Sequence, residues 1–263
     1  MQKDHWQAHA RQWQHIGAPL RPCAEDVALM AGWLGQRPGH GLLLGVTAEL
    51  TALSDRLLAL DRDGAMIERV WRPRTPQQTA QRGDWLEIAP QGPHFDFAAG
   101  DGSLNVLADA GQYRQLFDHL RPRLRDGGLV VLRVFCTPEQ GETPEAVLAA
   151  ARRGGIGSFH AFKWRLAMAM VAQQGDATIA VERIGQRFGQ LVPDRAGLAA
   201  LAGWPAADID TIDVYRDSTV AYSFPTRAQL RLALPDYCEE IGSAHGSYEL
   251  AECCPVIALR MRR

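Results

Sequence analysis

Residues 41–50 read GLLLGVTAEL. Gly41 to Thr47 is a short apolar run bounded by glycine, the form of a strand buried on both faces of a parallel sheet. Ala48 to Ser54 continues as a helix, so the stretch holds a strand, a turn and a helix start. Gly45 closes the strand. A glycine there either lets backbone approach a ligand closely or simply turns the chain. Thr47 is placed to hydrogen-bond that ligand or to cap the helix.

The same alternation repeats toward the C-terminus. Leu57–Asp61 (LLALD) reads as a second buried strand, and Gly64–Trp71 as a helix carrying Met66, Ile67 and Val70. Thr79–Leu86 is a weaker third strand, and Phe95–Ala99 is a fourth that runs into Gly100-Asp101-Gly102-Ser103. Tyr113, Leu116, Phe117, Leu120 and Leu124 fall on one helical face. Arg125-Asp126-Gly127-Gly128 stops that helix, and Leu129–Phe135 (LVVLRVF) is a fifth strand. Strand and helix alternating in this way predict an α/β, doubly wound, mostly parallel sheet.

Around this core the chain reads as one domain. Residues 1–37 form an N-terminal helical cap with Trp6, Trp13 and Ile16 on one face, ended by Gly17-Ala18-Pro19. Residues 38–136 are the ligand-binding core. Residues 137–190 form a helical insertion, or lid, over the strand ends, with Phe159, Phe162, Leu166 and Met170 on a stripe that reads as core or lid packing. Residues 191–263 complete the sheet, with a helix at Asp194–Leu201 and strands at Thr219–Phe224 and Pro255–Met261.

Composition narrows the partners. The chain has 263 residues and a formal net charge of -2, so nucleic acid is not favoured. Its five cysteines include no C-x-x-C pair, and Cys253 and Cys254 are adjacent in an apolar run. That speaks for buried thiols in a reducing compartment rather than a metal site. His5 and His9 are four apart but lack a third ligand, so no metal is expected. The polar start at Met1–Trp6 is unlike a signal peptide, and no apolar run approaches the roughly 18 residues of a membrane span. The expectation is a soluble, cytoplasmic protein with no membrane partner.

Ligands of doubly wound sheets bind outside the carboxyl ends of the strands. Asp61, sixteen residues after Gly45, is placed to accept hydrogen bonds from both hydroxyls of a ribose; Asp63 is its rival, or a helix cap. Asp84, in Gly83-Asp84-Trp85, can accept from an exocyclic amine, or is a turn aspartate. Asp101, between two glycines, can hold an amine or a reacting group, or makes a tight turn. A dinucleotide would need G-x-G-x-x-G, and this turn has one glycine in Gly45-Val46-Thr47-Ala48-Glu49-Leu50. A P-loop lysine is missing as well. S-adenosylmethionine carries adenine, ribose and an amino acid without phosphate, and it matches the groups present.

These segments resemble the class I S-adenosylmethionine-dependent methyltransferases over residues 38–135. GLLLGVTAEL is similar to the first motif of a subgroup with a Gly-x-Thr-x-Glu-Leu turn. DRDGAM (Asp61–Met66) resembles the acidic-strand motif, and Gly83-Asp84-Trp85 the adenine motif. FDFAAGDGSL (Phe95–Leu104) resembles the fourth-strand motif, and LRPRLRDGGLVVLRVF (Leu120–Phe135) the segment that follows. The departure is at the first turn, where many members carry an acidic residue followed by G-x-G-x-G. The resemblance implies a Rossmann-like methyltransferase fold and in-line transfer to a small-molecule or side-chain acceptor. It implies Gly45 and Thr47 near the methionine moiety, Asp61 on the ribose, Met66 beside the adenine, Asp84 and Trp85 on its edge, and Gly100 and Asp101 near the amino group. Met66 fits helix core equally. Arg21, in GAPLRP, is either a partner of the methionine carboxylate or a surface arginine.

A general base serves only where the acceptor holds its proton. His160, His245 and Tyr113 are the candidates outside the common core, and each also reads as structural. An aromatic-rich insertion suggests an apolar or aromatic substrate, or else a homodimer interface. Two other readings stand beside the methyltransferase: a nicotinamide (NAD)-dependent oxidoreductase, and a non-enzymatic binding or assembly protein that keeps the fold.

Overall fold

Leu42, Leu43 and Leu44 are each no more than 2 % exposed, and their strand lies in the middle of a seven-stranded sheet. The computed structural model describes residues 5–36, 38–89, 91–92 and 94–262; the expectations for Met1–Asp4 and Arg37 lie outside them. The chain begins with α1 (His5–Arg11) and α2 (Ala24–Leu34). Then come β1 (His40–Leu44), β2 (Arg56–Asp61), α3 (Gly64–Val70), β3 (Gln78–Arg82), β4 (Phe95–Asp101), α4 (Ala110–Leu120) and β5 (Leu124–Arg133). The five strands are mutually parallel. Gly41 is required by packing, because a Cβ there would collide with the Phe97 ring of β4.

Beyond β5 lie α5 (Pro144–Arg152), α6 (Phe159–Gln174), β6 (Thr178–Ala180), α7 (Val181–Leu191), α8 (Arg195–Ala202), α9 (Ala206–Asp210), β7 (Ala221–Ser223), α10 (Arg227–Ala233), β8 (Cys238–Ala244) and β9 (Val256–Met261). The main sheet has the order β3-β2-β1-β4-β5-β9-β8, with β9 and β8 antiparallel to their neighbours. The strand order reverses between β1 and β4, where the connections leave to opposite sides, and this is the switch point where such sheets bind ligands.

Four expectations need correction. Ala48–Leu53 is a 3-10 turn rather than an α-helix. Leu124 belongs to β5, which starts earlier than expected and passes Gly127 at a φ of 74°. The Thr219–Phe224 strand does not join the main sheet; its β7 pairs with β6 in a separate two-stranded ribbon. In its place the edge strand is β8, whose half-exposed, charged CEEIGSA sequence hides the alternation of a strand. No helix among the described residues is long and apolar enough to cross a membrane.

The stripe on α6 is core. Phe159 and Phe162 pack with Phe188 and Trp204, ring centroids 5.4–6.1 Å apart. Lys163 sits among them, 2 % exposed, and donates to Thr211 Oγ1 at 3.2 Å. Burial lowers its amine from 10.5 to about 7. Lys163→Met is therefore expected to stabilise the protein by about 1–3 kcal/mol near neutral pH. The Thr211 hydroxyl keeps its own bond to the Asp208 carbonyl. The gain should shrink as pH rises toward 10.5, where the lysine of the unfolded chain is neutral too. Urea denaturation at two pH values measures it, and a loss of stability at neutral pH would refute it.

Candidate functional site

A cavity of about 480 Å³ opens at the carboxyl ends of β1, β2, β3 and β4. Its floor is set by the first turn. Gly45 has a φ of 104°, a conformation that L side chains rarely adopt. Its N–H donates to the Leu60 carbonyl at 2.8 Å, and the same carbonyl accepts Trp85 Nε1 at 2.7 Å. A Cβ on Gly45 would stand 3.6 Å from the Trp85 ring and 3.9 Å from Asp61 Oδ2. Strand β1, the Trp85 indole and the Asp61 carboxylate thus meet around one glycine.

The two carboxylates at the end of the second strand take different places. Asp63 caps α3 by accepting from the Met66 N–H at 2.8 Å. Asp61 accepts from the Asp63 N–H at 2.9 Å through Oδ1, which leaves Oδ2 beside Gly45. Burial is the main force on this carboxyl and raises it from 3.8 to about 6. Met66 is both buried in the core and part of the cavity wall. Asp84 caps the turn Trp85–Glu87 through the Leu86 N–H at 2.9 Å and lies 3.9 Å from Arg62. Thr47, Asp84 and Trp85 all line the cavity.

Asp101 also lines it, but its Oδ1 accepts Arg133 Nε at 2.6 Å. Burial pushes this carboxyl up, against the pull of Arg133. Gly100 is behind the wall: a Cβ there would collide with Ser103 Oγ, so the glycine serves strand packing. Arg21 does not reach the cavity either. Its Nε donates to Glu49 at 3.0 Å, and Nη1 donates to the carbonyls of Trp13 at 3.0 Å and Ile16 at 3.2 Å.

None of the three candidate bases lines the cavity. Tyr113 donates to Ser223 Oγ at 3.0 Å, and burial pushes its hydroxyl up to about 12. His160 donates from Nε2 to the His15 carbonyl at 2.7 Å, and burial lowers its ring to about 4. His245 is tied to its own turn at the Gly246 carbonyl, 2.8 Å away. Each meets a hydrogen-bonding demand of the fold.

The roof comes from three distant segments: Trp6, His9 and Trp13 at the N-terminus, Trp164 on α6, and Tyr215 to Phe224 around β7. Within 137–190, Trp164 is the lining residue. His5 fastens α1 to the third segment, with Nδ1 on Ser218 Oγ at 3.0 Å and Nε2 on Tyr222 Oη at 3.1 Å. The i, i+3, i+7 spacing of Trp6, His9 and Trp13 was the available signal for this roof.

Compared by sequence, the chain matches no family model and no curated protein. By structure it is similar to the N-methyltransferase NodS of Bradyrhizobium japonicum WM9 in complex with S-adenosyl-l-homocysteine. The identity is 12%, with 98% of this chain and 100% of that one covered, at a TM-score of 0.52. It is similar to a SAM-dependent methyltransferase of Methanosarcina mazei at 10% identity, covering 92% and 99%, TM-score 0.54. It is also similar to a Rhodobacter sphaeroides protein solved under the name of a Zn-dependent alcohol dehydrogenase, at 14% identity, covering 97% and 98%, TM-score 0.55. These likenesses establish the doubly wound, Rossmann-like methyltransferase fold; proteins of different names share it.

Proposed function

We propose that this protein is an S-adenosylmethionine-dependent methyltransferase of the subgroup with a Gly-x-Thr-x-Glu-Leu first turn, acting on a small-molecule or side-chain acceptor. One observation carries the reading: Gly45, at positive φ, faces Asp61 Oδ2 in a cavity at the switch point of the sheet, with no glycine-rich phosphate cradle beside it. That is a site built for a ribose without a pyrophosphate. The names of the two methyltransferase neighbours are consistent with it.

The residues present fit this cofactor. Asp61 Oδ2 accepts from the ribose, Met66 and Trp85 flank the adenine, and Asp84 accepts from its amine. Gly45 and Thr47 lie along the methionine portion, and Asp101 marks the end where its amino group belongs. Gly100 and Arg21 support this surface from behind. When bound, the cofactor supplies a sulfonium methyl already activated for displacement. The protein then has two tasks, placing the acceptor and keeping water out. Trp6, Trp13 and Trp164 wall the site for both.

Thermal shift tests the reading. S-adenosylmethionine and S-adenosylhomocysteine are expected to raise Tm, and NAD to leave it unchanged. At a hundred times Kd the stabilisation is about 2.7 kcal/mol, enough to read. Stabilisation by NAD alone would make the protein an oxidoreductase, and silence toward all three would favour a binding or assembly protein.

A further inference from the structure

We infer that the roofed half of the cavity takes a neutral, planar aromatic hydroxyl compound as its acceptor, with His9 accepting the hydrogen bond of that hydroxyl. This rests on the methyltransferase reading, which assigns the Asp61 and Asp84 end to adenosine and leaves the rest for the acceptor.

The walls of that half are Trp6, Trp13, Phe135, Trp164, Tyr215 and Tyr222. Such a box suits either a flat ring, through stacked and edge-on contacts, or a cation held over π faces. The structure separates the two. Three of these rings already carry a basic group of the protein on one face. The Arg21 guanidinium lies 4.8 Å from the Trp13 centroid, Arg133 lies 5.0 Å from Phe135, and Lys163 Nζ lies 5.2 Å from Tyr215. Faces taken in this way are closed to a ligand ammonium. A cationic acceptor also needs an anion, and the carboxylate at this end, Asp101, is paired with Arg133 at 2.6 Å and already assigned to the cofactor's amino group. A neutral ring meets neither obstacle.

The polar handle is His9. It lines the cavity, stacks on His5 with centroids 6.0 Å apart, and meets the rings of Trp6 and Trp13 edge-on at 5.8 and 5.7 Å. Its ring position is thereby fixed. Its side chain is half-buried, and among the described residues it makes no hydrogen bond. Burial, with His5 and Lys163 nearby, lowers its ring to about 3, so it is neutral and keeps an acceptor nitrogen. An acceptor nitrogen that no protein donor occupies, on a half-buried ring at the cavity wall, suits a guest that brings an O–H.

Calorimetry with S-adenosylhomocysteine saturating tests this, using three probes with one ring system: 2-naphthol, naphthalene and 2-naphthylmethylammonium. The naphthol is expected to bind at least tenfold tighter than the other two. His9→Leu should bring the naphthol down to the level of naphthalene, and His9→Gln, which keeps an acceptor oxygen, should restore part of the difference. Trp164→Leu should weaken naphthol and naphthalene alike, with the S-adenosylhomocysteine Kd unchanged in all three variants. If the ammonium probe binds as tightly as the naphthol, or His9→Leu leaves the naphthol unaffected, the inference falls while the cofactor assignment stands. If S-adenosylhomocysteine itself fails to bind the wild-type protein, the functional reading falls and this inference with it.

Discussion

Asp61→Asn is expected to weaken S-adenosylmethionine binding about a hundredfold and, in the same protein, to raise Tm of the free chain. The two effects have one cause. Asp61 is a half-buried carboxylate at the cavity edge, and burial raises it from 3.8 to about 6. A group whose folded value lies above its unfolded value contributes stability that is fully present below the unfolded value. That stability is lost as pH rises through about 6. At neutral pH the ionised carboxylate therefore costs the free protein up to about 3 kcal/mol, reduced by whatever water reaches Oδ2. Asparagine removes that cost and retains the local structure, since its Oδ1 can still accept from the Asp63 N–H. For the ligand the exchange is a loss. Two hydroxyls donating to a charged acceptor are worth roughly 1.5–3 kcal/mol each, and an amide recovers only part of that. The Tm gain should shrink from pH 7.5 to pH 5, and cofactor affinity of the wild type should fall below pH 6 as the carboxyl protonates. A variant with unchanged affinity would remove Asp61 from the ribose; one with lower Tm at neutral pH would show that the carboxylate is a stabilising group.

The parallel half of this fold is legible because buried parallel strands are written as continuous apolar runs. GLLL, LLAL and LVVL announce themselves, and a carboxylate or glycine at the end of such a run is conspicuous. Strand β8 is not legible, because an edge strand half-exposed on both faces needs no alternation. The roof escaped for a different reason. Trp6, Trp164 and Tyr222 reach one cavity from segments far apart in the chain, and no local period links them. His9 read as half of a metal pair that lacks its third member, although it shares a helical spacing with Trp6 and Trp13. His160 and Tyr113 looked available because their partners, the His15 carbonyl and Ser223 Oγ, are 145 and 110 residues away. A side chain's hydrogen-bond debt to distant backbone cannot be read from its neighbours. One signal was plain and went unread: Arg133 stands inside LVVLRVF, and a cation within a buried strand must be paired.

That arginine carries the second large effect. Arg133→Met is expected to cost about 3–5 kcal/mol, a large part of the 5–15 kcal/mol that holds a typical domain together. Arg133 is 0 % exposed. Its Nε donates to Asp101 on β4, and its Nη1 to the Pro19 carbonyl at 2.8 Å, Tyr248 Oη at 3.2 Å and Asp26 at 3.4 Å. Tyr248 in turn donates to Asp26 at 2.8 Å. Asp26 is itself fully buried and accepts from the Cys23 N–H at the start of α2. One guanidinium thus joins β5, β4, the approach to α2 and the segment before β9. Methionine fills much of the volume, so the loss is electrostatic: two buried carboxyls lose their cation. A double-variant cycle separates this from a packing defect. If the cost lies in the orphaned charge, Asp101→Asn should be damaging beside Arg133 and partly restorative beside Met. If it lies in packing, the two losses should simply add. Additive losses, or an Arg133→Met cost below about 1 kcal/mol, would refute the account. Restoration would show that the carboxylate at the fourth strand end is held in place, and held neutralised, by a residue outside the cavity wall.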